Sequence, residues 1–553
     1  MNYLLQISIG PVQDFISAAR RTRDLWFGSN LLGEIAKAVA ESVQDDGGKL
    51  IFPAAANKTE LEELKGIANI ILAEFYNVDS QNLKSISDKA NVAAKDKLKD
   101  YADKVFARTQ YIVVKDRYYS QIDDVIEFYS AWVPVDSDYA SARKQVARLL
   151  AARKNIRDFM PSQFADRVPK SSLDGLRESV LIRNLSEKDL KGLPEDIKIK
   201  PHESLDAIGL IKRVPIDNTR FPSVGRVALN TWERGKGKKF INDFKRLNLL
   251  DDDELDSISW YLGDMYTPDA PYVAFICADG DKMGAALSRM TEADQHRKFS
   301  KELAGFAEKA RDKIEEYNGS CIYTGGDDVL AFVPLDKAME CSRSIHDLFG
   351  EIMGKYEASL SVGVSIAHAK EDLGQLLQFG RDAERIAKNP DRNGLAVSVR
   401  SRGNIPFTVR EQWKDKSAYE ELALTSIENL ADLSLDERLE CLAKCFMKNE
   451  IPAKFPYELR ENAKFYDKWD NQETLESAVI SDVLRIFKRK VKRKDITLND
   501  SEKGKISGYI KAKVKSADTI REFADELILA QWIGASMPTI EEGDENEIQN
   551  NAD

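Results

Sequence analysis

The run Tyr272-Val273-Ala274-Phe275-Ile276-Cys277 is apolar without a break, the pattern of a strand buried on both faces of a sheet. It leads into Ala278-Asp279-Gly280-Asp281-Lys282-Met283-Gly284, two carboxylates among glycines that let the backbone turn tightly. An amphipathic helix follows, with Phe299, Leu303, Phe306, Ala310, Ile314 and Tyr317 at helical spacing. Strand-like stretches at 320–324 and 329–333 then flank Gly325-Gly326-Asp327-Asp328, which reads as a hairpin turn. A helix over about 335–356, a strand over 360–366, a helix over 371–388 and a strand over 395–399 follow. The order is βαββαβ plus one extra strand, a ferredoxin-like palm. In such a sheet the first strand neighbours the hairpin, so Asp279 and Asp327-Asp328 are expected to converge at one end.

Several carboxylates held that close repel one another unless cations neutralise them. Hard oxygen ligands beside backbone amides suit Mg²⁺ or Mn²⁺ carrying a triphosphate. Two such ions roughly 4 Å apart activate a 3′-hydroxyl and stabilise the leaving pyrophosphate. The catalytic candidates are therefore Asp279, Asp327 and Asp328, and the metal ligands the same three with Asp281, whose role is either ligand or structural. Lys388, at a helix C-terminus, and Arg392, in the following turn, are placed to hold the β and γ phosphates. Each piece also has a plainer reading. G-G-D-D alone is a good hairpin turn, D-G-D alone a loop, and Lys388 alone a helix C-cap favourable to the dipole.

Four regions separate by pattern, with a tail. Residues 1–160 begin with an apolar strand at 3–9. A helical stretch over about 60–104, strand-like runs at 111–114 and 125–135, and a helix over 139–159 follow. Residues 161–268 mix short strands and loops and include the flexible-looking Arg234-Gly235-Lys236-Gly237-Lys238-Lys239. Residues 269–405 are the palm, 406–540 read as helical and highly charged, and the acidic tail 541–553 has little to bury.

The net charge of −11 argues against broad affinity for nucleic acid. Locally, Phe487-Lys488-Arg489-Lys490-Val491-Lys492-Arg493-Lys494 is strongly basic, and Lys511, Lys513 and Lys515 add to it. These residues make either a solvated helix face or a contact with RNA or an acidic partner. The N-terminus lacks a signal-peptide pattern and no apolar run approaches ~18 residues. The five cysteines form no C-x-x-C pair. A reduced, cytoplasmic protein is the expectation.

Asp279, Gly325-Gly326-Asp327-Asp328 and their setting resemble the palm of the GGDEF diguanylate cyclases. They resemble more closely the palm of the large polymerase/cyclase subunit of type III CRISPR effector complexes. Two stretches are similar to that subunit's type III-B (Cmr) branch in its first domain: Ile9-Gly10-Pro11-Val12-Gln13-Asp14-Phe15-Ile16, and Ala19-Arg20-Arg21-Thr22-Arg23-Asp24-Leu25-Trp26. Leu205-Asp206-Ala207-Ile208-Gly209-Leu210-Ile211-Lys212-Arg213 with Arg220-Phe221-Pro222-Ser223 is similar to its second. The resemblance implies an α+β multidomain fold: two palm domains, one degenerate, a small α/β linking domain and a C-terminal helical domain.

It further implies an enzyme joining ATP through 3′–5′ linkages into cyclic oligoadenylate second messengers once guide RNA has bound target RNA. The same resemblance implies nucleotide contacts from Gly280, Lys282, Met283 and Gly284 after the strand and from Gly325 and Gly326 in the hairpin. Its partners would be the other complex subunits, with no membrane. Under the alternative substrate reading, ATP is joined to S-adenosylmethionine; under a third, the chain is a silent ribonucleoprotein scaffold. Two departures stand out. The chain starts at the degenerate palm, and its four histidines (202, 296, 346, 368) supply no HD nuclease array; His346-Asp347 reads as helix surface. The cysteine cluster of some relatives is absent, so no zinc is expected.

Overall fold

The computed structural model describes the chain except residues 136–137, 157–167, 183–184, 186, 195, 198, 217–220, 235–271, 402–404, 420, 470–471, 493–495 and 538–553. The loop expected at 235–239, Arg220, Arg493, Lys494, the end of the 139–159 helix and the acidic tail therefore lie outside the described residues.

Two sheets organise the fold. The first contains β1 (Tyr3–Gly10), β2 (Lys49–Phe52), β3 (Ile70–Phe75) and β4 (Glu127–Pro134) in the order β2-β3-β1-β4, antiparallel throughout. The second contains β5 (Tyr272–Asp281), β6 (Ser320–Gly325), β7 (Asp328–Pro334), β8 (Ser359–His368), β9 (Gly394–Arg400) and β10 (Phe407–Gln412) in the order β10-β9-β8-β5-β7-β6. Its β8-β5-β7-β6 portion repeats the first sheet's β4-β1-β3-β2, so the chain holds two ferredoxin-like palms. The Thr22–Asp45 helix of the first packs on β6 of the second, and the Ala293–Glu316 helix of the second packs on β2 of the first.

Four expectations change. The described residues of 161–268 hold short helices and isolated bridges at Lys170–Glu178 and Leu181–Val113, not the short strands expected. The stretch 60–104 is not one helix: β3 lies inside it, between helices Lys58–Glu63 and Ser80–Thr109. Its neighbours' Lys- and Ala-rich composition hides a six-residue run that is largely buried and hydrogen bonded on both sides, to β1 and β2. The run 111–114 makes only a single bridge, Val113 to Leu181, before the helix Lys115–Asp123 begins. The stretch after 405 is not purely helical, because β10 joins the palm sheet antiparallel to β9.

The faces of β5 explain the packing. Ala274, Ile276 and Ala278 face the core under helices Ala293–Glu316 and Ala338–Met353, a core that continues into the C-terminal helices. Val273, Phe275 and Cys277 face the core shared with helix Leu373–Lys388, the linking region and the first palm. That linking region is bolted on by charge. Arg213 pairs with Asp24 at 2.9 Å and Glu203 at 2.7 Å, and the buried Lys212 donates to the Ala18 carbonyl at 3.0 Å. Trp26 also stacks on Phe221. The two N-terminal signatures are thus two sides of one contact. Among the described residues no helix is long and apolar enough to cross a membrane.

Candidate active site

Antiparallel pairing of β5 with β7 puts the end of β5 beside the β6–β7 turn. That turn is tighter than the four-residue motif suggests. Gly325 pairs with Asp328, so Gly326 and Asp327 alone form the reversal. Gly280 is required by what arrives opposite it. A methyl group there would stand 2.7 Å from Asp327 Cβ and 2.8 Å from its Oδ2. Asp279, Asp327 and Asp328 therefore do converge at one sheet end.

Their electrostatics record the crowding. Burial, then the charge of Asp279, pushes the Asp327 carboxyl up to about 6. Desolvation by the surrounding protein, a hydrogen bond with Asp279 and the charges of Asp279 and Asp327 push Asp328 up further, although the residue itself is exposed at the turn. Tyr323, packed under the turn, is raised by burial and then by the same two aspartates.

Lys388 supplies the opposing charge. Its ammonium contacts Asp279 Oδ2 and lies 2.8 Å from Glu384 Oε1, one helical turn earlier. Burial alone would lower this lysine, and the bonds to Asp279 and Glu384 reverse the shift to a raised value. Asp279 and Lys388 remain 31% and 29% exposed, so the pair opens to solvent.

Asp281 lies two residues beyond Asp279, on the same face of β5. It is fully buried, and its Oδ2 accepts from Ser361 Oγ (2.8 Å), Ser359 Oγ (3.1 Å) and the Asn393 amide (2.9 Å). These bonds tie β5 to β8 and to the turn after Lys388, while Oδ1 is buried without a partner. Lys282 has a left-handed backbone (φ 60°) and caps the short helix Met283–Ser288, which places Met283 and Gly284 just beyond the carboxylates. Arg392 is exposed on the 389–393 turn, also with positive φ.

His346-Asp347 is more than helix surface. His346 is half-buried, stacks on Trp413, and its Nε2 lies 3.0 Å from Asn393 Oδ1. Sequence reasoning passed over Glu384 and Arg410, which hold the Lys388 end of the site. Only the i,i+4 spacing of Glu384 and Lys388 signalled the first.

Among the described residues no three His, Cys, Asp or Glu side chains already stand as a coordination cluster. The donor chemistry nevertheless fits a hard divalent cation. Three convergent carboxylates, two of them forced toward protonation, carry charge that Lys388 only partly offsets, and Asp281 adds an unpaired oxygen. All five cysteines are buried and free.

Comparison with known proteins agrees with this anatomy. Residues 272–396 match the family described as Cas10/Cmr2, second palm domain, and residues 4–115 the family described as CRISPR-associated protein Cmr2, N-terminal. The CRISPR system Cmr subunit Cmr2 of Pyrococcus furiosus is 28% identical over 219 residues, 34% of this chain and 25% of that protein. The match thus spans about a quarter of the curated relative's length. The fold is that of a type III-B Cmr-beta chain solved by cryo-EM in the apo state (TM-score 0.60, 13% identity, 91% of this chain and 78% of the other). The same complex bound to cognate target RNA gives TM-score 0.63, 13% identity and coverage of 96% and 83%. The N-terminal segment 4–115 and the palm segment 272–396 are thus each matched by a Cmr2 or Cas10/Cmr2 domain family, and both are carried on the fold of a type III-B Cmr-beta chain.

Proposed function

We propose that the protein is a nucleotidyltransferase that joins ATP molecules through 3′–5′ linkages into cyclic oligoadenylates, within a type III-B complex that has bound target RNA. The observation that carries the reading is the convergence of Asp279 with Asp327-Asp328 under Lys388, since two aspartates raised by burial and then by neighbouring carboxylate charge have no structural use. Mg²⁺ or Mn²⁺ held by Asp279, Asp327 and Asp328 would supply Lewis acidity toward the 3′-hydroxyl and the leaving pyrophosphate. In the reaction the 3′-oxygen of one nucleotide bonds to the α-phosphorus of another, and the bond to the β-phosphate breaks. Lys388 leaves Asp279 for the β and γ phosphates, and Arg392 meets them from the solvent side. Asp328, at the edge of the turn, would receive the hydroxyl proton when a bound cation offsets the neighbouring charges and keeps it in the carboxylate form. The first palm, whose β1 runs into Gly10-Pro11 where β5 runs into Asp279, has no equivalent carboxylate there and would hold the second nucleotide.

The complex with guide and target RNA, incubated with ATP and Mg²⁺ or Mn²⁺, with and without S-adenosylmethionine, should yield cyclic oligoadenylates identifiable by mass spectrometry. Asp327→Ala/Asp328→Ala should lower the yield at least ~100-fold. Unchanged product from that variant would sink the assignment.

A further inference from the structure

The turn 389–393 is an expensive one for the chain to make. Arg392 and Asn393 both adopt left-handed backbone angles (φ 61° and 45°); asparagine enters this region readily, but an arginine holds it only where neighbours impose it. The neighbours that impose it come from three places. The Asn393 amide donates to Asp281, as described, and the Asn393 side chain meets His346. The rest comes from β10 and the residue just past it. The Trp413 amide donates to the Asn393 carbonyl at 2.8 Å. Arg410 Nη2 reaches the Ala387 carbonyl at 3.2 Å, the Arg392 carbonyl at 3.3 Å and the Asp391 carboxylate. One guanidinium thus holds both the end of the helix that carries Lys388 and the turn that carries Arg392. Gly394 makes room for it, because a methyl there would stand 2.8 Å from Arg410 Nη2 and 2.2 Å from the Ala387 carbonyl.

The next residue on β10 points to the opposite face. Glu411 is gripped by Arg438, and by Lys513 at 3.0 Å, both on C-terminal helices. The strand's two sides therefore serve two different bodies.

We infer that Arg410 is a positioning residue that sets the 389–393 turn so that Lys388 and Arg392 face a triphosphate, and that Glu411 ties this turn to the C-terminal helical domain. The inference deepens the function proposed above and rests on it for the identity of the ligand. β10 is an edge strand held to the sheet by β9 alone, so a displacement of the C-terminal helices moves Arg410 and with it the phosphate-facing turn. The site is then regulated from the helical domain without any contact between that domain and the nucleotide.

Two measurements on the full chain test this. Backbone amide exchange without nucleotide should speed up about tenfold or more at 389–393 in Arg410→Ala, and also in Glu411→Gln, with the middle of the Leu373–Lys388 helix unaffected. Titration with the α,β-methylene analogue of ATP and with AMP, each with Mg²⁺, should show the analogue weakened about tenfold by Arg410→Ala and AMP less than twofold, with partial recovery in Arg410→Lys. Unchanged exchange at 389–393 in both variants overturns the inference. Equal weakening of the two ligands also overturns it, since a merely structural arginine would not discriminate between them. If the wild-type chain binds neither ligand, the nucleotide reading falls, while the exchange data still decide whether Arg410 and Glu411 hold the turn.

Discussion

His296 lies at the seam between the two palms, its Nδ1 2.6 Å from the hydroxyl of Tyr139, which caps the seam from the first domain. Burial, then the charges of Arg143 and Arg297, pushes the imidazole down to about 4, while Arg297 itself is engaged by Glu74 at 2.6 Å. The neutral ring can pair with the tyrosine hydroxyl as donor or acceptor; a protonated one could only donate and would stand beside two cations. A histidine with a depressed folded value contributes stability that is complete above its unfolded value of about 6.5 and is lost as pH falls toward 4. The fall from 6.5 to about 4 is worth about 3 kcal/mol at most. Thermal melts should therefore show the wild type losing stability between pH 6.5 and 4, with a smaller loss in His296→Gln. Identical pH profiles would remove His296 from the seam's energetics. Nothing in the sequence marked this residue, because its partner Tyr139 is 157 positions away and Arg143, the stronger of the two cations that lower it, comes from the other side of the folded seam.

Among elements, β5 is the one whose sequence pattern and structure agree most closely, and its physics explains why. A central strand must be apolar on both faces, so the run from Tyr272 to Cys277 could be nothing else, and its carboxylates had to emerge where that run stops. The same logic made the hairpin, the two palm helices and the convergence of Asp279 with Asp327-Asp328 readable. Short edge strands escape this logic. Four residues in β2 and six in β10 carry little periodicity, and each becomes a strand only because a partner supplies its hydrogen bonds. Arg410 was invisible for a related reason, and Glu384 was marked only by its spacing to Lys388, since their value lies in which carbonyl or ammonium they meet. The agreement at β5 is also quantitative. Phe275 is fully buried and packs its ring 4.8 Å from Phe332 of β7, so Phe275→Ala should cost about 3–5 kcal/mol, and Phe275→Leu clearly less. Denaturant titration of the full chain reads both. Equal costs for the two changes would mean that β5 is not packed as tightly as its burial indicates.

At the scale of the molecule, the palm and the C-terminal helices share one hydrophobic core and one buried ionic network. Ala274 and Ile276 of β5 belong to the same continuous core as Leu439 and Phe523 in the helices. Across that core Arg438, nearly solvent-free, bonds Glu526 at 2.6 Å and Glu411 of β10, while Tyr509 donates to both Glu526 oxygens at 2.8 and 2.9 Å. A buried ion pair of this kind adds little net stability when intact, because desolvation offsets the attraction. Removing one member is another matter. Arg438→Ala leaves the fully buried Glu526 with only Lys513, 3.7 Å away, and the tyrosine hydroxyl, a loss of about 3–5 kcal/mol. Arg438→Met, which also removes the charge but fills the space, should still be costly, whereas Arg438→Met/Glu526→Leu should recover much of the loss. If the shared core makes palm and helices one cooperative unit, the single variant will weaken amide protection in β9 and β8 as much as in the helix Ala517–Ser536. Protection lost in the helices alone would show instead that the palm stands by itself. β10 would then be a loose coupling between two independent bodies, and the route from the helical domain to the phosphate-facing turn would have to run elsewhere.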